Sequence, residues 1–134
     1  MSPQEQIGHF LASEAFGVVG ASANRHKYGN KVLRCYLQHG RRTIPVNPNE
    51  SEIEGTPCVA SIAELPPEVK SISMITPPAV TEQIVPLAIA QGIENIWMQP
   101  GSESPAAVAL CRQHNINVIA DGSCVLVVLG YHDH

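Results

Sequence analysis

Apolar positions along the chain fall into two kinds of stretch that take turns. Short apolar runs alternate with longer segments in which apolar residues recur at helical spacing. The runs Phe16 to Gly20, Arg42 to Val46, Val69 to Thr76, Asn95 to Met98 and Asn117 to Ala120 read as strands. Between them, Val32, Leu33, Tyr36 and Leu37 put one apolar face on a helix over Lys31 to His39, which Gly40 ends. Pro77-Pro78 launches a helix from Val80 to Gln91, with Ile84, Leu87 and Ala88 inward and Gly92 as its stop. Ala107, Leu110 and Cys111 stripe a further helix over Pro105 to His114.

The remaining segments have weaker signatures. Ser2-Pro3-Gln4-Glu5 reads as a helix start, with Ser2 as N-cap, Pro3 at the first helical position and Glu5 closing a capping box. Ile7, Phe10 and Leu11 follow at helical spacing, so this helix is expected to pack on the edge of a sheet. Glu50 to Pro57 reads as a surface loop, Cys58-Val59-Ala60 as a brief strand or bridge, and Ile62 to Leu65 as a short helical turn. Val125 to Leu129 is an apolar run of no clear type.

Strands that are apolar on both faces and alternate with helices imply a parallel sheet covered on both sides. The expected fold is therefore α/β, a three-layer doubly wound parallel sheet in a single domain over residues 1–134, with a helix in 1–14 and a tail over 125–134. Such sheets take ligands beyond the carboxyl ends of their strands, at the switch point. The loops there are Gly20 to Asn30, Asn47 to Asn49, Thr76 to Pro78 and Gln99 to Ser102, built mainly of small and polar residues.

The first of these loops has the chemistry of a phosphate site. A strand that ends in small residues and runs into a helix leaves unpaired N–H groups that an anion can approach. Gly20, Ala21 and Ser22 supply the smallness, and Arg25 and Lys27 supply positive charge. Gly17 and Gly20 do not spell G-x-G-x-x-G, and there is no G-K-[ST] of a P-loop. A tight β–α turn without a ligand is the competing reading.

Charge supports a small anion over a polymer. The formal net charge of -4 gives no electrostatic case for nucleic acid or an anionic membrane. Six of the 8 Lys and Arg, from Arg25 to Arg42, nevertheless lie in the first third of the chain, near the turn. Cys35, Cys58, Cys111 and Cys124 show no C-x-x-C spacing and sit in apolar company, as buried reduced thiols do. Met1 to Leu11 has no signal-peptide pattern and no run has the length of a membrane span, so a soluble cytoplasmic protein is expected.

The second strand narrows the ligand. Chains that bind NAD close this strand with an acid that takes the ribose hydroxyls; here Asn47 stands there, between Val46 and Pro48. A ribose bearing a phosphate fits better, since Arg or Lys can pair with it. NADP and coenzyme A both carry one, and the loops alone do not separate them.

Val18-Val19-Gly20-Ala21-Ser22, Lys27-Tyr28-Gly29-Asn30 and Ile44-Pro45-Val46-Asn47-Pro48 together resemble the small CoA-binding domain proteins, a family similar to the nucleotide-binding domain of the succinyl-CoA synthetase alpha subunit. Gly55, Ile75-Thr76-Pro77-Pro78, Ile96-Trp97-Met98-Gln99-Pro100-Gly101 and Val118 to Cys124 continue the likeness over nearly the whole chain. The resemblance implies a Rossmann-like fold that binds CoA. It implies that Gly20, Ala21, Ser22, Asn24 and Arg25 hold the phosphates with Lys27 nearby, and that Val46, Asn47 and Pro48 meet the adenosine. Thr76, Pro77 and Pro78 are then the next wall, and Gln99 with Gly101 the far one. The synthetase's catalytic histidine lies in a further domain, so ligase activity is not carried over. The chain departs from many relatives after Cys124, where Val125-Leu126-Val127-Val128 replaces Pro and a charged segment.

Three functions are set against one another. The first is a module that holds CoA or an acyl-CoA without chemistry of its own, as a monomer or as a homodimer through Val125 to Leu129. The second is an NADP-dependent reductase. The third is a redox protein in which Cys124, following Ala120-Asp121-Gly122-Ser123 near the ligand face, forms a mixed disulfide with CoA. Tyr28 is a candidate ligand contact, Ser22 a capping or phosphate-bonding hydroxyl, and His26 a hydrogen-bond donor to phosphate. Trp97 is expected in the core, and His132-Asp133-His134 is expected to be a frayed end and no metal site.

Overall fold

The computed structural model describes residues 1–133. Its centre is a five-stranded parallel sheet of β1 (Phe16–Val19), β2 (Thr43–Val46), β5 (Ser71–Met74), β6 (Asn95–Met98) and β7 (Asn117–Ile119), in the order β2-β1-β5-β6-β7. Every pairing in it is parallel and in uninterrupted register, for example Val19 beside Val46 on one side and Met74 on the other. The chain leaves β1 in one direction to β2 and returns past it to β5, so the switch point lies between β1 and β5. The fold is the expected doubly wound α/β sheet.

Alternation along the strands divides the core between the two faces. Val19, Ile72, Met74, Ile96, Met98 and Val118 point to one face, covered by α3 (Pro78–Gln91) and α4 (Pro105–Gln113). Phe16, Val18, Trp97 and Ile119 point to the other, covered by α1 (Pro3–Leu11), α2 (Tyr28–Gln38) and α5 (Val125–Leu129). On this second face the Tyr36 hydroxyl and Ser73 Oγ share a bond of 2.6 Å. Trp97 is fully buried, and its Nε1 donates to the Ser123 carbonyl over 2.9 Å.

Several expectations change in detail. Helix α1 has the Ser2–Glu5 capping box and packs at the β7 edge of the sheet, where Gln6 Nε2 donates to the Val118 carbonyl at 3.1 Å; it also reaches over the face, with Phe10 fully buried, 5.4 Å from Phe16 and 5.3 Å from Trp97, ring centre to ring centre. The segment read as a loop over Glu50 to Pro57 contains a hairpin of β3 (Glu52–Ile53) and β4 (Thr56–Pro57), anchored by the buried Ile53. The apolar run after Cys124 is the short helix α5. Helix α2 starts at Tyr28, ahead of the periodic residues. On α3, Thr81, Val85 and Ala88 are buried, whereas Leu87 is 62% exposed. Cys35 and Cys111 are buried, but Cys58 and Cys124 are only half-buried. Among the described residues no helix is long and apolar enough to cross a membrane.

Candidate functional site

The turn between β1 and α2 is shaped by backbone that tolerates no side chain at two places. Gly20 has φ of 89°, and a Cβ there would lie 2.1 Å from the Ile75 carbonyl oxygen. A Cβ on Gly29 would lie 2.1 Å from the Gly20 carbonyl oxygen. Helix α2 therefore begins directly against the end of β1. No side chain caps that helix start, so its first N–H groups are open to an anion.

Side chains then fix the loop from below. Ser22 Oγ accepts from the Asn24 N–H at 3.1 Å, and Asn24 Oδ1 accepts from the His26 N–H at 3.0 Å. The fully buried Asn30 donates through Nδ2 to the Ser22 carbonyl at 2.9 Å. Arg34 donates from Nε to Asn30 Oδ1 at 2.6 Å and from Nη2 to the Arg25 carbonyl at 2.8 Å. From β2, Asn47 Nδ2 donates to the Ala21 carbonyl at 2.8 Å.

Two clefts meet at this turn. One is an apolar slot of about 350 Å³, walled by Val19, Val46, Ile62, Val80, Ile84 and Leu87. The other is a groove of about 610 Å³ lined by Ala21, Ser22, His26, Lys27, Tyr28 and Ile75. Gly20 and Asn47 line both. An apolar slot continuous with a small-residue turn is shaped for a flat heterocycle joined to phosphate.

The residues singled out in the sequence are distributed unevenly over these clefts. Gly20, Val46, Asn47, Pro48 and Thr76 line the slot, and Gly20, Ala21, Ser22, Lys27, Tyr28 and Asn47 line the groove. Asn24 braces the loop from within. Arg25 turns aside to the β3–β4 hairpin, with its Nε 3.6 Å from Glu54 Oε2. Pro77 and Pro78 are exposed at the start of α3 and line neither cleft. Gln99 is buried: its Oε1 accepts from the Val125 N–H at 2.8 Å, and its Nε2 reaches the Cys124 sulfur at 3.2 Å. Gly101 is exposed with φ of 92° and donates to Glu103. Cys124 also lies outside both linings.

The basic cluster likewise separates in space. Arg41 and Arg42 precede β2 and so lie at the opposite end of the sheet from the turn, where Arg42 pairs with Glu68 at 3.0 Å. Lys27 is the basic side chain that lines the groove together with His26. The sequence puts Ile62 in a helical turn, Ile84 and Leu87 in the core and Arg34 in the basic cluster; the structure puts the first three at the slot and Arg34 beneath the turn. A polar residue on the buried stripe of α2 is the signal that marks Asn30 and Arg34.

The family model described as a CoA binding domain matches residues 14–130. Over 91 residues the chain is 25% identical to the alpha subunit of acetate–CoA ligase [ADP-forming] II of Pyrococcus furiosus. That match covers 67% of this chain and 20% of the subunit, so the chain spans about a fifth of the curated relative's length. Among solved structures, a conserved hypothetical protein of Pyrococcus furiosus is similar with a TM-score of 0.82 and 37% identity, over 86% of this chain and 98% of that one. A Thermus thermophilus protein is similar with a TM-score of 0.84 and 27% identity, over 96% of each chain.

Proposed function

The chain belongs to the CoA-binding-domain family, and we propose that it binds coenzyme A itself, with the adenine in the apolar slot and the phosphates against the Gly20–Tyr28 turn. One observation carries this reading: slot and groove meet at Gly20 and Asn47. An adenosine and a chain of phosphates need the same adjacency. Val46 and Ile62 offer apolar surface to a heterocycle, while Ser22, Lys27 and the open start of α2 offer donors to anionic oxygens. The acetate–CoA ligase subunit, whose name gives CoA as a reactant, supports the choice of coenzyme.

The proposed role is to hold the coenzyme, and His26, Lys27 and Tyr28 are the ionisable residues that line the groove. NADPH, the ligand of the reductase alternative, carries a similar phosphorylated adenosine, so direct comparison of the two is essential. Amide chemical shifts of the isotope-labelled protein, followed during titration with CoA, test the placement. Shifts are expected together at Gly20–Tyr28 and at Ile62, Ile84 and Leu87. Shifts confined to other loops would overturn it.

A further inference from the structure

The segment after α5 is not a loose end. Gly130 to Asp133 folds back along α2 and is held by side chains of one face of that helix. The His132 N–H donates to Gln38 Oε1 at 3.0 Å, and a ring nitrogen of His39 lies 2.9 Å from the Gly130 carbonyl. The Arg34 guanidinium sits 5.4 Å from the centre of the Tyr131 ring, and the Tyr131 hydroxyl donates to Asp133 at 3.1 Å. Asp133 Oδ1 in turn accepts from Arg34 Nη1 at 3.2 Å.

Arg34 thus divides one guanidinium between two destinations. Nε and Nη2 hold the phosphate turn, through Asn30 and the Arg25 carbonyl, while Nη1 holds the strap. The residue is only 7% exposed. A charge so buried needs an opposite charge, and losing that partner is costly. Asp133 is the carboxylate in direct contact with it. When the strap leaves, Arg34 loses its counter-charge and its aromatic cover together. The most favourable response is to swing toward solvent, which releases Asn30 Oδ1 and the Arg25 carbonyl.

We propose that Arg34 is a positioning residue for the phosphate turn and that docking of Gly130–Asp133 on it is coupled to ligand binding, a proposal that rests on the coenzyme A reading given above. A turn already held in its binding shape has less freedom to lose when the ligand arrives. Linkage then makes the effect reciprocal: a docked strap tightens the ligand, and the ligand tightens the strap by the same factor.

The test is titration of the full chain with CoA, wild type first, then Asp133→Ala and Asp133→Glu, with hydrogen exchange at the strap amides in each state. Asp133 is largely exposed, so these variants are expected to fold. Asp133→Ala should weaken CoA about fivefold or more, Asp133→Glu should restore most of the affinity, and CoA should slow exchange at Tyr131–Asp133 in the wild type. Arg34→Lys, which keeps the charge but not the planar fork, should weaken binding at least as much as Asp133→Ala. A strap that is merely structural would change the melting temperature and leave affinity unaltered; wild-type affinity in folded Asp133→Ala overturns the coupling. A wild type that does not bind CoA at all removes the coenzyme reading and this proposal with it, and the wild-type titration separates the two failures.

Discussion

The Asn47 side chain joins the two clefts physically: its Nδ2 donates to the Ala21 carbonyl at 2.8 Å while its Oδ1 accepts from the Asn49 N–H at 2.7 Å. The residue closes β2 and braces the phosphate turn with the same amide. Both halves of that amide are used, one as donor and one as acceptor.

Replacing Asn47 by Asp keeps the acceptor and removes the donor. A carboxylate oxygen then faces the Ala21 carbonyl, and a negative charge enters the junction where phosphates are proposed to lie. Asn47→Asp is expected to cost about 1 kcal/mol of stability in urea unfolding and to weaken CoA by at least about tenfold in titration.

The glycines of the turn make a sharper stability test. Gly20→Ala and Gly29→Ala each place a methyl 2.1 Å from a carbonyl oxygen, and Gly20 also has positive φ. Each is expected to lose about 2 kcal/mol or more. Gly8→Ala is the control: it is exposed on α1 with nothing within 4 Å of the added carbon, and it should gain about 0.5–1 kcal/mol. Denaturant midpoints of the three variants give the comparison directly.

The contributions of slot and groove are separable. Leu87 is exposed at the wall of the slot and Lys27 is exposed in the groove, so both Leu87→Asn and Lys27→Ala should fold normally. Leu87→Asn, which adds no charge, should weaken CoA without changing the salt dependence of binding. Lys27→Ala should weaken it about tenfold at low salt and less as salt rises, because exposed charge pairs are screened. Titrations at two ionic strengths check both.

The buried thiols set a limit at high pH. Burial, with a smaller contribution from neighbouring Cys124, pushes the Cys35 thiol up from 9.0 to about 11, and burial alone does the same for Cys111. Burial also holds the Tyr36 phenol above its ordinary range. In each case the native state favours the protonated, neutral group. The stabilisation is therefore complete below pH 9 and lost as pH rises from 9 through about 11. Thermal midpoints should fall over that interval, and less steeply in Cys111→Ala. At pH 8, iodoacetamide should modify the half-buried Cys58 and Cys124 before Cys35 and Cys111.

The layers of the fold were readable because each strand and helix carries its own periodicity. Phe16, Val32 and Ile96 announce their elements without reference to distant residues. The loops that form the slot and groove were readable for a related reason: small and polar residues at strand ends have few other uses. What local pattern does not contain is direction. Arg25 and Lys27 are equivalent in sequence terms, yet Glu54, distant along the chain, draws Arg25 to the hairpin while Lys27 lines the groove. Pro77 and Pro78 occupy the right loop but begin α3 on its exposed side. Leu87 reads as a core position on the helical wheel and is instead exposed, walling a cleft. The strap was invisible because its partners, Arg34, Gln38 and His39, are roughly ninety residues away.

Calorimetric titration of the wild-type protein with CoA, dephospho-CoA and NADPH in parallel tests whether coenzyme A is the ligand. Micromolar binding of CoA is expected, weakened when the 3′-phosphate is absent, with weaker or no binding of NADPH. Binding of NADPH in preference to CoA, or silence from all three ligands, would contradict the coenzyme A reading.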